Sequence, residues 1–416
     1  MKILFCGDIF SNYESRTSFR SGIFFVACAL LKEFCRMDDI HVTVYCSLDR
    51  KHAVEHFLQD NRLNIDVVTV RPLAHRRFRN WFETQNFKRN KKELRPLKGA
   101  GKLGRASEWL DRRSVRGDMK CFTVYDAWFS PCESVPYAVE KTGIPIYTVI
   151  HDLIPIVTGE FPVRKGYWLY DVLNQVSPEK YYFCISECTR RDFLHCCPKA
   201  NPEHVKVIYN GYEPKAGNIS DEEAFQITKN AGLTWGRYIL ILGNVVPHKN
   251  TVKQISAGVR FIRESGIEDF RIAVVGSCSQ PEEILLKAEI SAEDCRYISF
   301  CGYVPDEHIR AYYRGAFCLS FTSLYEGFGL PALEAMDESC PVVTSNTSAF
   351  PEIVGDAALC IPPEDADAHV KAYSDLYTHL ELREKLIVRG KKRVKLYCWN
   401  HTAQQMVEEM KNGREI

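Results

Sequence analysis

Short apolar runs separated by longer amphipathic or polar stretches recur along most of this chain, and that rhythm narrows the folds open to it. Lys2–Cys6 is followed by a helical pattern over Ile23–Phe34, and Val42–Cys46 and Ile65–Val70 come next. After a break the series resumes with Cys121–Ala127, Ile144–Ile150, Tyr181–Ser186 and Val205–Tyr209. It continues with Tyr238–Asn244, Arg271–Gly276, Tyr297–Phe300, Phe317–Phe321, Pro341–Thr344 and Ala358–Ile361. Strand-length apolar runs alternating with helix-length segments predict an α/β class of doubly wound, Rossmann-like parallel sheets. Parallel neighbours need a crossover, and the crossover helices then bury both sheet faces. At 416 residues a single core is too large, so two such units are expected. Their expected extents are 1–214 and 215–390, divided within the polar stretch Glu213–Asn230. Composition is helical from Asp375 onward, and 391–416 is expected to form a C-terminal helix that packs back on the first unit with Trp399 as an anchor.

The break in the rhythm is chemically distinct. Residues 71–120 hold sixteen Lys and Arg against five Asp and Glu, a local net of +11 in a chain whose total is +1. Phe78, Trp81, Phe82, Phe87 and Trp109 are interleaved with these charges. A solvated insertion and a docking surface for an anionic membrane or polyanionic acceptor both fit this composition. Nucleic acid is not expected as a partner, because no recognised nucleic-acid motif accompanies the charge. The seventeen cysteines are odd in number, form no Cys-x-x-Cys and lie mostly in apolar runs, as expected of buried thiols in a reducing cytosol. Cys184, Cys188, His195, Cys196 and Cys197 lack the paired spacing of a zinc site, so no metal is expected. No apolar run approaches the ~20 residues of a membrane span. The N-terminus reads as a first strand rather than a signal peptide. The expected location is the cytoplasm, with any membrane contact made peripherally from that side.

Ser323–Met336 carries the densest chemical signal. A strand-like run precedes it, Gly327 and Gly329 flank Phe328, and Pro331 stands ahead of the helix-forming run Ala332–Met336. Proline suits a first helical turn, where its missing N–H has no intrahelical partner. The free amides and positive dipole end of such a helix attract an anion. Glu326 lies in the loop and Glu334 one turn into the helix, flanking that anion site as carboxylates suited to sugar hydroxyls. By itself the segment reads first as a plain strand-to-helix turn whose glycines serve only geometry. Polar residues also follow other predicted strands: His151-Asp152, then Gly243 with His248 and Lys249, then Gly302-Tyr303-Val304, a loop whose backbone can meet a nucleobase edge. Gly22 stands at the start of the first predicted helix. In open α/β sheets, ligands bind outside the carboxyl ends of the strands.

Taken together, these segments resemble the retaining glycosyltransferases of GT-B fold, specifically the family-4 type with a Glu-x7-Glu motif. The match is Glu326-Gly-Phe-Gly-Leu-Pro-Ala-Leu-Glu334, supported in family order by Val149–Pro155, Ile185–Arg190, Val207–Gly211, Leu242–Asn250, Phe300–Pro305 and Pro341–Glu352. The resemblance covers almost the whole chain outside the basic insertion. It implies that Glu334 binds the ribose of a nucleotide sugar and that Glu326 contacts the transferred sugar near its anomeric centre. Gly327, Phe328, Gly329 and Leu330 would line the sugar and diphosphate, and Lys249, beside Gly243 and His248, would neutralise the departing diphosphate. His151 would reach the sugar from the opposite unit, Gly22 would lie near acceptor and donor phosphate, and Gly302, Tyr303 and Val304 would receive the base. One departure stands out: the residue before the lysine is commonly arginine, and here it is His248. Either protonated His248 or another cation such as Arg20 would then compensate. The implied reaction is metal-independent and cofactor-free transfer of a hexose, mannose among the candidates, from a GDP- or UDP-linked donor to a lipid-linked or polysaccharide acceptor. The alternatives are a catalytically silent nucleotide-sugar-binding scaffold, which His248 keeps open, and another GT-B sugar-nucleotide enzyme.

Overall fold

A computed structural model describes residues 1–13, 22–70, 119–159, 168–214, 219–278 and 280–413. Arg20 and the basic segment, apart from Met119 and Lys120, lie outside the described residues.

Two parallel sheets organise the chain. The first holds β1 (Lys2–Cys6), β2 (His41–Ser47), β3 (Val67–Val70), β4 (Ala127–Ser130), β5 (Ile146–Ile150), β6 (Tyr181–Cys184) and β7 (Val205–Val207), in the order β3-β2-β1-β4-β5-β6-β7. The second holds β8 (Tyr238–Leu242), β9 (Arg271–Val275), β10 (Ile298–Gly302), β11 (Cys318–Phe321), β12 (Val342–Ser345) and β13 (Leu359–Ile361), in the order β10-β9-β8-β11-β12-β13. Every registered pair is parallel. In each sheet the winding direction reverses beside the first strand, at β1/β4 and at β8/β11, which opens a crevice at the carboxyl ends there. The central strands β4, β5, β11 and β12 are buried along their whole length, which explains why they read as continuous apolar runs without alternation.

The fourth strand corrects the expectation of a strand over Cys121–Ala127. Met119–Phe122 is a helical turn, and pairing begins at Ala127, in register with Ile3. Thr123, Val124 and Tyr125 have strand propensity, yet Val124 is exposed, whereas Ala127, Trp128 and Phe129 are sealed between neighbouring strands. Burial on both faces outweighs local preference. Asp126 ends the loop by accepting the Lys2 amide at 2.7 Å.

Five helices position the site and join the two halves: α1 (Gly22–Cys35), α2 (Glu187–Cys196), α3 (Thr251–Ser265), α4 (Leu330–Asp337) and α5 (Trp399–Asn412). In α3 the residues Ile255, Val259 and Ile262 recur at helical spacing and are buried, and Gly258 lets the helix close on Ile272 of β9. The last helix returns to the first sheet. Its buried residues Ala403, Met406, Val407 and Met410 lie on the side packed against α1 and the sheet. Asn400 donates to Glu33 of α1, Lys411 pairs with Asp39 at 2.5 Å, and the Tyr147 hydroxyl donates to the Met410 carbonyl. A Cβ on Gly211 would overlap the backbone of Trp399, and Thr402 Oγ1 donates to the Tyr209 carbonyl at 2.9 Å. The segment by which the chain leaves the first sheet and the helix by which it returns are therefore packed closely together.

Candidate active site

The site is built where the carboxyl ends of the two sheets face each other. From β11 the chain runs through Thr322–Phe328 into α4, whose N-cap is Gly329. Gly329 has φ 104, a left-handed conformation that other residues enter only with strain, and Pro331 follows in the first turn. The loop is fixed from several sides: Ser345 Oγ donates to the Ser323 carbonyl, the Leu324 amide to the His248 carbonyl, and the Glu326 amide to Ser348 Oγ. Glu326 is buried, and Lys249 Nζ sits 2.5 Å from its Oε1 and 5.4 Å from the centre of the Phe321 ring. Phe328 is buried as well, and Leu330 and Glu334 are half-buried along α4.

Lys249 ends a single turn, Pro247–Lys249, that follows β8. Asn250 takes a left-handed φ of 57 and sends its side-chain amide to the carbonyls of Thr322, at 3.1 Å, and Pro363, at 2.6 Å. Gln254, buried in the first turns of α3, donates to the Lys249 carbonyl at 2.7 Å and accepts from Ser320 Oγ at 2.9 Å. Thr322 Oγ1 lies 2.8 Å from His369 Nε2. A buried polar chain thus sets both the lysine turn and the glutamate loop. Sequence reasoning missed Asn250, Gln254, Thr322 and His369, because interior polar residues carry no periodic signal.

On the other side of Lys249 the ends of β8, β9 and β10 form a rim of glycines. Gly243 donates to the Val275 carbonyl and Gly276 to the Gly302 carbonyl. The Lys249 stem passes 3.8 Å from where a Gly243 Cβ would stand. Tyr303 is exposed beyond this rim and Val304 is half-buried. Gly276 closes a predicted strand, and its place beside Gly243 becomes readable only once the sheet order is known. Glu334 accepts from the buried Tyr313 hydroxyl at 2.8 Å, which fixes its orientation.

The first sheet contributes the end of β5. His151 is buried, and its Nε2 lies 2.6 Å from the Pro131 carbonyl oxygen. Burial lowers its pKa from 6.5 to about 4, so the imidazole is neutral near pH 7. The carbonyl contact assigns the proton to Nε2, leaving Nδ1 as the acceptor. A Cβ on Gly327 would overlap the His151 carbonyl and come within 2.9 Å of Asp152 Cβ, so the glutamate loop rests directly on the end of β5. The Asp152 carboxyl is pushed up by burial, its bond from the Ile154 amide opposes this, and the Glu326 charge adds to it against His248 and Lys249. Asp152, His248, Lys249 and Glu326 therefore share one electrostatic environment. The structure brings together Glu326, Lys249, His248, His151, Gly243, Gly302 and the 327–330 segment. Gly22 opens α1, where a Cβ would meet nothing within 4 Å. Among the described residues, no three His, Cys, Asp or Glu side chains converge as metal ligands, and no helix is long and apolar enough to cross a membrane.

A pH dependence follows from the buried histidine. Between pH 6.5 and about 4 the unfolded chain binds a proton at His151 that the folded chain refuses, so stability falls as the pH drops through this window. The slope is about 1.4 kcal/mol per pH unit for one group. Thermal unfolding from pH 7 to 4 is expected to show a shallower decline for His151→Gln than for the wild type, and parallel curves would contradict it.

Residues 225–393, which span α3, the lysine turn and the glutamate loop, match the family described as glycosyl transferases group 1. O-antigen chain mannosyltransferase B of Escherichia coli is 31% identical over 282 residues, covering 67% of this chain and 72% of that protein. MMP alpha-(1->4)-mannosyltransferase of Mycolicibacterium hassiacum is 29% identical over 286 residues, covering 65% and 66%. The crystal structure of Anabaena Alr3699/HepE, in complex with UDP and glucose, superposes with a TM-score of 0.66 at 14% identity, over 99% of this chain and 100% of that one. The two facing parallel sheets are the GT-B fold, and the chain belongs to the glycosyl transferases group 1 family as a glycosyltransferase.

Proposed function

We propose that this protein is a retaining hexosyltransferase of the family-4 type, moving mannose from a nucleotide diphosphate donor to a growing polysaccharide or lipid-linked glycan. The observation that carries the reading is the Lys249–Glu326 pair, set beside the N-terminus of α4 where the ends of β5, β8 and β11 meet. As the glycosidic bond breaks, negative charge grows on the departing diphosphate. Lys249 Nζ and the amides at the start of α4 supply the positive field that a divalent ion supplies in other transferases. Glu326, held in place by Lys249 and Ser348, accepts from hydroxyls of the transferred sugar, and Glu334, oriented by Tyr313, accepts from the ribose. Neutral His151 offers Nδ1 to a sugar hydroxyl from the other sheet. Attack on the face the diphosphate leaves retains the configuration, with a diphosphate oxygen taking the acceptor proton.

The sugar assignment is supported by the named activities of the Escherichia coli and Mycolicibacterium relatives, and the nucleoside diphosphate by the ligand of the Anabaena structure. On the acceptor side, the +11 segment is read as a dock for an anionic glycan or an anionic membrane surface. A thermal-shift series with GDP, UDP and their mannose and glucose conjugates, followed by turnover of whichever binds, tests the donor. A ligand at 100 times its Kd is expected to stabilise the fold by roughly 2.7 kcal/mol. Absence of a shift with every nucleotide sugar would remove the reading, and binding without turnover on any glycan acceptor would favour a silent scaffold instead. Salt-sensitive co-sedimentation with anionic vesicles separates the membrane dock from a glycan dock.

A further inference from the structure

The first turn of α2 is gripped by the other half of the molecule. Ser186 caps this helix in the ordinary way, its side chain accepting from the Thr189 amide at 3.0 Å. The two amides that remain at the positive end, those of Glu187 and Cys188, donate instead to Glu352 Oε2 and Oε1, both at 2.9 Å. Glu352 lies on the segment after β12, in the second sheet's half, so a carboxylate from one half closes the helix dipole of the other. The Tyr209 hydroxyl adds a third bond to Oε2 at 3.0 Å.

The start of the same helix holds the glutamate loop. Asp192 accepts from the Tyr325 hydroxyl, Thr189 Oγ1 reaches the Gly327 carbonyl at 3.4 Å, and Cys188 Sγ lies 3.9 Å from Ser348 Oγ. Ser348 Oγ in turn accepts from the Glu326 amide at 2.9 Å and donates to the Glu326 carbonyl at 2.5 Å. Residues 325, 326 and 327 are each tied, directly or through Ser348, to the first two turns of a helix of the opposite half. None of these bonds involves Glu334 or Gly302, on the side of the cleft where the nucleotide would be read.

We infer that Glu352 and the α2 turn form a closure clamp that engages only when the two halves meet, and that Glu352, Asp192 and Tyr325 are positioning residues setting Glu326 for transfer. This rests on the reading of Glu326 as the group facing the transferred sugar. Nucleotide contacts lie within the second half, so they survive opening, whereas the apposition of Glu326 and His151 does not. Glu352→Gln replaces one acceptor oxygen with an NH2 that faces an amide N–H or a hydroxyl proton, and Tyr325→Phe removes the bond to Asp192.

Each variant is expected to lower kcat by 10- to 100-fold while the donor KM and the Kd of the free nucleoside diphosphate stay within about threefold of wild type. Hydrogen exchange of the 185–192 peptide is expected to accelerate in Glu352→Gln with the nucleotide bound, and small-angle scattering to report a larger radius of gyration. Unchanged kcat and unchanged exchange in both variants would overturn the clamp. So would a loss of nucleotide affinity in step with kcat, which marks a general folding contact. If the wild type transfers no sugar from any donor, the functional reading fails while exchange and scattering still decide the clamp.

Discussion

Lys249→Ala is expected to reduce sugar transfer by roughly 100- to 1,000-fold, the range found when one preorganised group stabilising transition-state charge is removed. Two effects combine in that loss. The departing diphosphate loses its nearest fixed cation, and Glu326, buried with its carboxylate 2.5 Å from the ammonium, is left without a counter-charge. Lys249→Met separates them from simple packing, because it keeps most of the stem that lies along Gly243 and the Phe321 ring while deleting the charge. Both variants should lose turnover to a similar degree. Lys249→Arg should restore only part of it, since a planar guanidinium cannot occupy the ammonium position without displacing the loop. Initial rates with the donor found by thermal shift provide the measurement, and turnover of Lys249→Met within tenfold of wild type would exclude the lysine as the activating cation.

Gly327→Ala is the second large effect, and it acts by shape alone. The added methyl would overlap the His151 carbonyl oxygen, and the obstacle is backbone at the end of β5, with no flexible side chain to yield. Overpacking of this kind costs about 1–3 kcal/mol. The cost falls on the meeting of the two halves, because the atoms in the way belong to His151 and Asp152 of the first half while Gly327 belongs to the second. Turnover is therefore expected to fall by about 10- to 100-fold with only a small change in melting temperature. Gly329→Ala makes the contrast, since its φ of 104 strains the start of α4 itself and a methyl there presses on the Phe350 ring, 3.2 Å away. That variant should lose thermal stability and nucleotide affinity together. Equal melting temperatures and equal rates for Gly327→Ala and wild type would show that the loop does not need to rest on β5.

Much of this arrangement is legible in the sequence, for a physical reason. Parallel sheets convert buried strands into apolar runs, so Lys2–Cys6 and the core of Tyr238–Asn244 fall where strands occur, and the rule that ligands gather at carboxyl ends points to His151, Lys249 and Glu326 as neighbours. What escapes has no local signature. β4 is displaced because Thr123–Tyr125 has the propensity of a strand while burial between β1 and β5 decides which residues pair. Gln254 and Asn250 look like ordinary polar residues of a helix start, and only the fold reveals that they hold the lysine turn. Glu352 stands more than a hundred residues from the amides it caps, and such a pairing leaves no trace in sequence spacing.

The return of the last helix to the first sheet also bears on how the chain is made. Ribosomes release polypeptide from its N-terminal end, and the first sheet is fully synthesised once Val207 has emerged, yet α5 is still missing. About 190 residues separate Gly211 from Trp399, which at about 5–20 residues per second is a wait of roughly 10–40 s. During that interval the face of α1 bearing Glu33 and the Tyr147 side of the sheet lack the helix that, among the described residues, bonds to them. The second sheet, whose strands are contiguous in the chain, reaches completion first. The half that is born first is thus completed only after the second sheet, when α5 packs onto α1.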